Sequence, residues 1–215
     1  MTSTTPKKIA LIIASTRPQR AGPTVASFIH NIISTSPSFA SNEITTVDVK
    51  SFNLSLYDHP SAPALFPLDK PSPLPESHPA IKWSQTIASF DAYILITPEY
   101  NGGLPAGFKN ALDYLYHEFK GKPVFVISMG VHGGNFANEE ATRALGTIMR
   151  GRAVETKVLL VIADEDKLNA TMGRVGEKSL EVWGEQKADV LKGFEELVGM
   201  LNDGGVKVEK EHIAV

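Results

Sequence analysis

Three stretches of the sequence combine small, hydroxyl-bearing and charged residues in a pattern that suits ligand binding. The first runs from Ser15 to Gly22 and contains Arg17 and Arg20. A helix pattern that includes Pro23 follows at once, so hydroxyls, backbone amides and a helix N-terminus come together, as in many anion sites. Two arginines would offset the charge of a terminal phosphate dianion.

What this stretch lacks narrows the kind of phosphate it can bind. It has no G-x-G-x-x-G dinucleotide fingerprint, and it is not a Walker A loop, because no Gly-Lys-Ser/Thr follows. A monophosphate is therefore the better expectation. An ordinary polar turn with solvated arginines fits the same residues equally well, and both interpretations stay open at this point.

The second stretch, from Thr97 to Gly107, holds two adjacent glycines that let backbone amides approach a ligand closely. An aromatic and an amide side chain add a flat surface and polar edges. Such a loop suits a flat heterocycle, although a tight turn between a strand and a helix has the same pattern. The candidate site residues of this stretch are Pro98, Glu99, Tyr100, Asn101, Gly102 and Gly103.

The third stretch, from Ser128 to Asn135, has the same small-residue character and contributes Ser128, Gly130, His132 and Gly133 as candidates. The six histidines show no metal-ligand spacing such as H-E-x-x-H. No G-x-S-x-G elbow surrounds Ser128 or any other serine, which argues against an α/β-hydrolase. We therefore expect no metal site and assign no side chain a catalytic role. Glu99 is expected to serve as a structural or hydrogen-bonding residue.

The elements that must position these stretches are short buried strands. Apolar or β-branched runs at 9–14, 44–49, 92–97, 124–128 and 158–163 predict five strands, and helix-period patterns separate them. This alternation predicts a five-stranded parallel sheet with helices on both faces. The three candidate stretches follow strands one, three and four, at the carboxyl end of the sheet where such folds bind ligands.

Two further regions complete the chain. From Phe52 to Pro79 there are seven prolines, which predict an irregular segment and a helix that starts only near Ala80. This proline-rich segment is either a surface excursion without a role or a rim of the active site or a partner surface. Apolar residues from Leu180 to Leu201 predict one last helix.

Composition predicts one domain over residues 1–215, with a core at about 8–201 and a polar C-terminal tail. A net charge of −3 gives no basic field for nucleic acid. The apolar runs are too short to cross a bilayer, and residues 1–8 contain no apolar run of a secretory signal. The sequence has no cysteine, which excludes disulfides and thiol catalysis and suits a reducing cytosol. We expect a cytoplasmic protein.

Together, these motifs resemble those of the NADPH-dependent FMN reductase family, which includes flavodoxin-like quinone and azo-dye reductases. The resemblance covers roughly residues 8 to 200. It rests on S-T-R-P-x-R-x-G-P at 15–23, T-P-E-Y-N at 97–101, K-N-A-L-D at 109–113 and G-x-H-G-G at 130–134.

The resemblance implies a flavodoxin-like three-layer α/β sandwich, whose five-stranded parallel sheet has the order 2-1-3-4-5. It also implies FMN as cofactor and NADPH or NADH as electron donor. Ser15, Arg17 and either Arg20 or Gly22 would hold the FMN phosphate. Residues 98–103 would line the isoalloxazine mostly through backbone, and residues 130–134 would flank its other side. Family members usually form homodimers or homotetramers with the flavin near the interface.

The expected reaction is a two-electron, ping-pong hydride transfer to quinones, azo compounds, ferric chelates or flavin. A flavin-binding protein whose redox state controls a partner is one alternative, with the proline-rich segment as its candidate surface. A flavodoxin-type electron carrier is another, although the modest net charge and the length of the chain fit it less well.

Overall fold

The computed structural model describes residues 6–66 and 74–203 of the chain. Part of the proline-rich segment, residues 67–73, therefore lies outside the described residues. The predicted polar tail, residues 204–215, lies outside them as well.

A parallel sheet forms the centre of the fold. Its strands are β1 (Lys7–Ile13), β2 (Asn42–Asp48), β3 (Ala92–Pro98), β4 (Pro123–Gly130), β5 (Arg152–Ala153) and β6 (Val158–Val161). The order is β2-β1-β3-β4-β5, with β6 also paired to β4, and every pairing is parallel. β3 and β4 are buried along their whole lengths, as strands covered on both faces must be. The predicted flavodoxin-like order is confirmed.

Helices cover both faces of this sheet. They are α1 (Gly22–Ile33), α2 (Pro79–Ala88), α3 (Ala106–Asp113), α4 (Asn135–Thr142), α5 (Lys167–Thr171), α6 (Glu177–Glu185) and α7 (Lys187–Asn202). One core packs α2, α3 and α4 on the sheet around Trp83, and the other packs α1, α6 and α7 around Trp183. None of the helices within residues 6–66 and 74–203 has the length and apolar character that crossing a membrane requires.

The fifth position of the sheet differs from the single strand that the sequence predicts. β5 pairs with the start of β4, and β6 pairs with its carboxyl half. Between them, the four residues 154–157 lie opposite the two residues 125 and 126 of β4, so the chain bulges. Thr156 turns to α7, where its backbone N and its Oγ1 donate to the carboxylate of Glu196 at 3.1 and 2.6 Å.

The predicted last helix is also divided. α6 ends at Glu185 and α7 begins at Lys187, because Gln186 adopts φ −87° and ψ 5°. The side chain of Gln186 donates to the backbone carbonyl of Leu159 at 3.0 Å, which ties this break to β6. An apolar pattern that continues across the break does not reveal it.

The described part of the proline-rich segment is held against α3. The side chain of Asn110 accepts from the backbone N of Tyr57 at 2.8 Å and donates to the carbonyl of Ser55 at 2.7 Å. A short 3₁₀ turn at Pro63–Leu65 is the regular element that the prolines leave there, and α2 begins at Pro79, close to the predicted start.

Candidate active site

The loop after β1, residues 14–21, carries a buried polar group that lacks a partner. Ser15 is fully buried, and among the described residues its Oγ has no hydrogen-bond partner. α1 begins beside it: a Cβ on Gly22 would lie 2.3 Å from this oxygen, so only glycine allows the approach. The N-cap residue, Ala21, provides no side-chain acceptor. An anion at this helix N-terminus would supply the hydrogen bonds that are missing.

The two arginines of this loop have different surroundings. Arg20 donates to the backbone carbonyl of Ser15 and to both carboxylate oxygens of Asp48, at the end of β2. Partial burial would raise the pKa of Asp48, but the hydrogen bond and charge of Arg20 lower it overall. Arg20 therefore fixes the shape of the loop. Arg17 is exposed, and its guanidinium lies 5.3 Å from the centre of the Tyr100 ring.

The loop after β3 forms a tight turn. Tyr100 and Gly103 exchange backbone hydrogen bonds of 3.0 and 3.2 Å, with Asn101 at φ 51° and Gly102 at φ 73°. Positive φ at both central positions defines a type I′ turn, for which Asn-Gly is a preferred pair. The backbone of these two residues is exposed at the tip, where amides can meet a ligand.

The loop after β4 is a second tight turn. Gly133 and Gly134 have φ 74° and 76°, and the N–H of Gly133 donates to the carbonyl of Gly130. Ser128 Oγ donates to the carbonyl of Gly133 at 2.9 Å, so this buried hydroxyl supports the turn from below. His132 stands exposed near the tip.

These three loops meet around a cavity of about 190 Å³. Predicted site residues from each loop line it: Arg17, Arg20, Pro98, Glu99, Tyr100 and Gly130. The other candidates lie beside the lining rather than in it: Ser15, Gly22, Asn101, Gly102, Gly103, Ser128, His132 and Gly133.

One wall of the cavity was missed by the sequence reasoning. It comes from the segment after β6, which contributes Ile162, Lys167, Ala170 and Thr171. Gly173, at φ 76°, brings this segment so close to the loop after β1 that a Cβ there would lie 2.2 Å from the backbone N of Arg20. An isolated glycine next to a short helix was the signal available in the sequence.

The charges around the cavity suit an anionic ligand. Among the described residues that line it, the charged ones are Arg17, Arg20, Lys167 and Glu99. Arg20 and Lys167 are paired with Asp48 and Asp164, so Arg17 is the lining cation for which no ion pair is found within the described residues. Within residues 6–66 and 74–203, no cluster of three His, Asp or Glu side chains is placed to hold a metal ion. A phosphate-bearing organic cofactor is the ligand class that these groups fit.

Comparison with known proteins decides the family. Residues 7–165 match the sequence profile of the NADPH-dependent FMN reductases. The chain belongs to this family. An NAD(P)H-dependent FMN reductase of a Nectria species is 40% identical over 198 residues, covering 90% of this chain and 96% of its own length. One from Saccharomyces cerevisiae is 31% identical over 165 residues, covering 74% of this chain and 86% of its own.

Solved structures of low identity share the fold. The flavoenzyme NAD(P)H:(acceptor) oxidoreductase FerB of Paracoccus denitrificans has a TM-score of 0.62 at 20% identity, over 93% of this chain and 100% of its own. An azoreductase of Bacillus anthracis has a TM-score of 0.51 at 15% identity, over 92% and 99%.

Membership of the NADPH-dependent FMN reductase family makes the chain an oxidoreductase with FMN and NAD(P)H as its cofactors. The buried Ser15 hydroxyl and the uncapped start of α1 are groups that a flavin phosphate would satisfy. The residues present therefore fit FMN.

Proposed function

We propose that this FMN reductase passes electrons from NAD(P)H to small flat acceptors, quinones first, and also azo compounds, ferric chelates or free flavin. The observation that carries the proposal is the buried hydroxyl of Ser15 beside the start of α1, which has no partner within residues 6–66 and 74–203. It lies at the edge of the sheet where three loops enclose a cavity. The open cavity beside Tyr100 is where a second flat molecule would enter.

Each loop then has a separate task. Ser15, Arg17 and the first amides of α1 would hold the FMN phosphate, and Arg20 would keep their loop in shape through Asp48. The backbone of the turn at residues 100–103 would face the isoalloxazine. Residues 130–134 would flank its other side.

FMN, when bound, supplies the hydride chemistry, so the chain itself needs no acid, base or nucleophile. This agrees with the surroundings of Glu99, the carboxylate in the lining. Its side chain accepts hydrogen bonds from the backbone of α4 instead of standing free as a general base.

The first experiment identifies the cofactor. Cofactor released by heat from the purified protein should run as FMN in chromatography, because the loop after β1 lacks a dinucleotide fingerprint. Anaerobic NADPH should bleach the flavin absorbance, and added quinone should restore it over many turnovers. FAD, or no flavin uptake, would contradict the proposal. Bleaching that requires a separate reductase would indicate an electron carrier.

The second experiment concerns the order of the reaction. A single cavity joins the three loops among the described residues, so nicotinamide and quinone must use it in turn. Double-reciprocal plots against NADPH at several quinone concentrations should be parallel, and high quinone should compete with NADPH. Intersecting lines would show separate sites, and the proline-rich segment would be the first place to look.

We further propose that a second copy of the chain covers the face formed by α3 and the π-helical turn at Arg143–Ile148. An open cavity of about 410 Å³ lies there, with mostly apolar walls that include Leu112, Leu115 and the half-exposed Ile148. Lys109 and Asp113 on its rim pair with each other within α3, at 2.5 Å, so they leave no net charge to repel an identical face. Ile148→Asp should lower the mass measured by light scattering, with exposed Val182→Asp as the control.

A further inference from the structure

Two carboxylates connect the loop after β3 to α4, one from each side. Glu99, in the loop, accepts from the backbone N of Phe136 at 2.8 Å and of Ala137 at 3.3 Å. Glu140, on α4, accepts from the backbone N of Leu104 at 2.8 Å. We name this pair, Glu99 and Glu140, the carboxylate clasp.

Glu99 takes the place of an N-cap residue for α4. The N-cap position is Gly134, which has no side chain, and its φ of 76° is closed to most other residues. The first-turn amides of a helix need an acceptor, and a negative charge at this end is favourable. A residue 35 positions earlier in the chain, Glu99, supplies both.

The clasp encloses the tight turn at residues 100–103. Glu99 binds immediately before the turn, and Leu104 is bound immediately after it, both to the same helix. Glu140 also limits the turn directly, since a Cβ on Gly103 would lie 2.9 Å from its Oε2. α4 itself starts at the end of the loop after β4. The clasp therefore sets the spacing of two of the three loops around the cavity.

We propose that Glu99 and Glu140 are positioning residues for the flavin, acting through the backbone of the loop after β3. The inference rests on the proposed function, in which this backbone faces the isoalloxazine. Neither carboxylate needs to touch the reacting atoms. Their contribution is to fix amide positions before the flavin binds, so that the loop loses little conformational freedom on binding.

A glutamine substitution distinguishes the effect of the hydrogen bond that positions the loop from the effect of the negative charge. Its amide oxygen accepts the same backbone hydrogen bond as the carboxylate, whereas alanine accepts none. Glu140→Gln should therefore retain the clasp, and Glu140→Ala should open it. Glu139 is the matched control, because it is the adjacent residue on the same helix, is half exposed, and contacts Lys157 and Asn135 instead of the loop.

The test measures FMN affinity by fluorescence titration of the flavin-free protein, and the midpoint potential of the bound flavin. Glu140→Ala should bind FMN about tenfold more weakly, within the range for the loss of one hydrogen bond, and should shift the potential. Glu140→Gln should stay within about twofold of wild type in affinity, and Glu139→Ala should match wild type. Amide hydrogen exchange at Leu104 should accelerate in Glu140→Ala before flavin is added.

The outcomes distinguish this inference from the proposed function. If Glu140→Ala had the FMN affinity and midpoint potential of wild type, the positioning role of the carboxylate clasp would be wrong, and the proposed function would be unaffected. An equal loss in Glu140→Gln and Glu140→Ala would assign the effect to charge and would also overturn it. Failure of the wild-type protein to bind FMN would overturn the proposed function, and the clasp's role with it.

Discussion

A buried hydroxyl at the carboxyl end of the sheet and one at its amino end have opposite surroundings. At the carboxyl end, the buried hydroxyl of Ser15 has no partner among the described residues, and Arg17 stands exposed. At the amino end, the buried hydroxyl of Tyr93 donates to the carbonyl of Ile87 at 2.8 Å and receives a hydrogen bond from Lys122 Nζ at 3.1 Å.

Glu118 completes the amino-end network. This buried carboxylate accepts from the hydroxyl of Ser84 and from the backbone N of Tyr116. Burial raises the pKa of Tyr93 far above its ordinary value, and the charge of Glu118 adds to this effect. Burial also lowers the pKa of Lys122, against the opposing charges of Asp91 and Glu118.

This contrast between the two ends indicates which polar groups contribute to the stability of the fold and which are available for binding the flavin. Buried polar groups that satisfy one another stabilise the fold, whereas the unpartnered hydroxyl of Ser15 beside the start of α1 leaves a hydrogen bond for a ligand. Substitutions at the amino end should therefore reduce stability and spare flavin affinity. Substitutions at the carboxyl end should do the reverse.

The largest expected effect is at the amino end. Glu118→Ala leaves the buried hydroxyl of Ser84 and the partly buried N–H of Tyr116 without this acceptor. At about 1–3 kcal/mol for a buried donor and less for the partly buried one, the free energy of unfolding should fall by about 3 to 4 kcal/mol. Urea denaturation measures this change, and exposed Glu181→Ala should stay within about 0.5 kcal/mol of wild type. Under native conditions FMN affinity should be unchanged. If Glu118→Ala lost FMN affinity and kept the stability of wild type, the assignment of this end of the sheet to stability would be wrong.

The next effect is at the carboxyl end. Arg17→Ala should weaken FMN binding by about 1.5 to 3 kcal/mol, the range for a charge-assisted hydrogen bond, while the thermal midpoint of the flavin-free protein stays the same. The exposed side chain adds little to the core. Arg17→Lys keeps the charge and should recover part of the affinity. Unchanged affinity in Arg17→Ala would remove this residue from the site.

Within the turn after β3, Gly103→Val should weaken FMN binding more than Asn101→Ala does. A branched side chain at position 103 meets Glu140, whereas alanine at 101 costs only about 1–2 kcal/mol for the left-handed backbone. Gly199→Ala is the control, because this exposed glycine lies on α7 and no atom lies within 4 Å of the added Cβ. Equal FMN affinities for all three variants would show that the turn does not approach the ring.

The smallest effect concerns acid stability. The pKa of Asp48 is lower in the folded chain than its ordinary value of 3.8. Its pairing with Arg20 therefore stabilises the fold above about pH 4 and loses this contribution as pH falls through the lowered pKa. Asp48→Asn should lose less than about 1 kcal/mol at pH 7, given its partial exposure, and the difference from wild type should shrink towards pH 3. A difference that grows in acid would contradict this assignment.

The fold was predictable because its signals are local. The apolar runs of β1 and β3 and the helix patterns between them follow from residues adjacent in sequence. Their alternation predicts a parallel sheet, and the strand order came from the resemblance to the family. The split between β5 and β6 was not predictable, because it depends on Glu196, which lies 40 residues beyond Thr156.

The candidate site was predictable to a similar degree. Loop composition predicted a site at the carboxyl end of the sheet, where the structure has a cavity between the three loops, but it could not distinguish the two arginines. Arg20 meets Asp48 across 28 residues, and this partner appears only once β1 and β2 are paired. Glu140 and Lys167 were missed for the same reason, since each reaches the cavity or its loops from a distant helix.

The bulge between β5 and β6 is a point at which the chain should tolerate inserted residues. Residues 155–157 lie outside the ladder with β4, and Glu196 holds them against α7. Extra residues inserted there would extend into solvent, without moving β6 or the wall of the cavity that follows it. A peptide inserted at this bulge, by natural variation or by design, should leave the register between β4 and β6 unchanged.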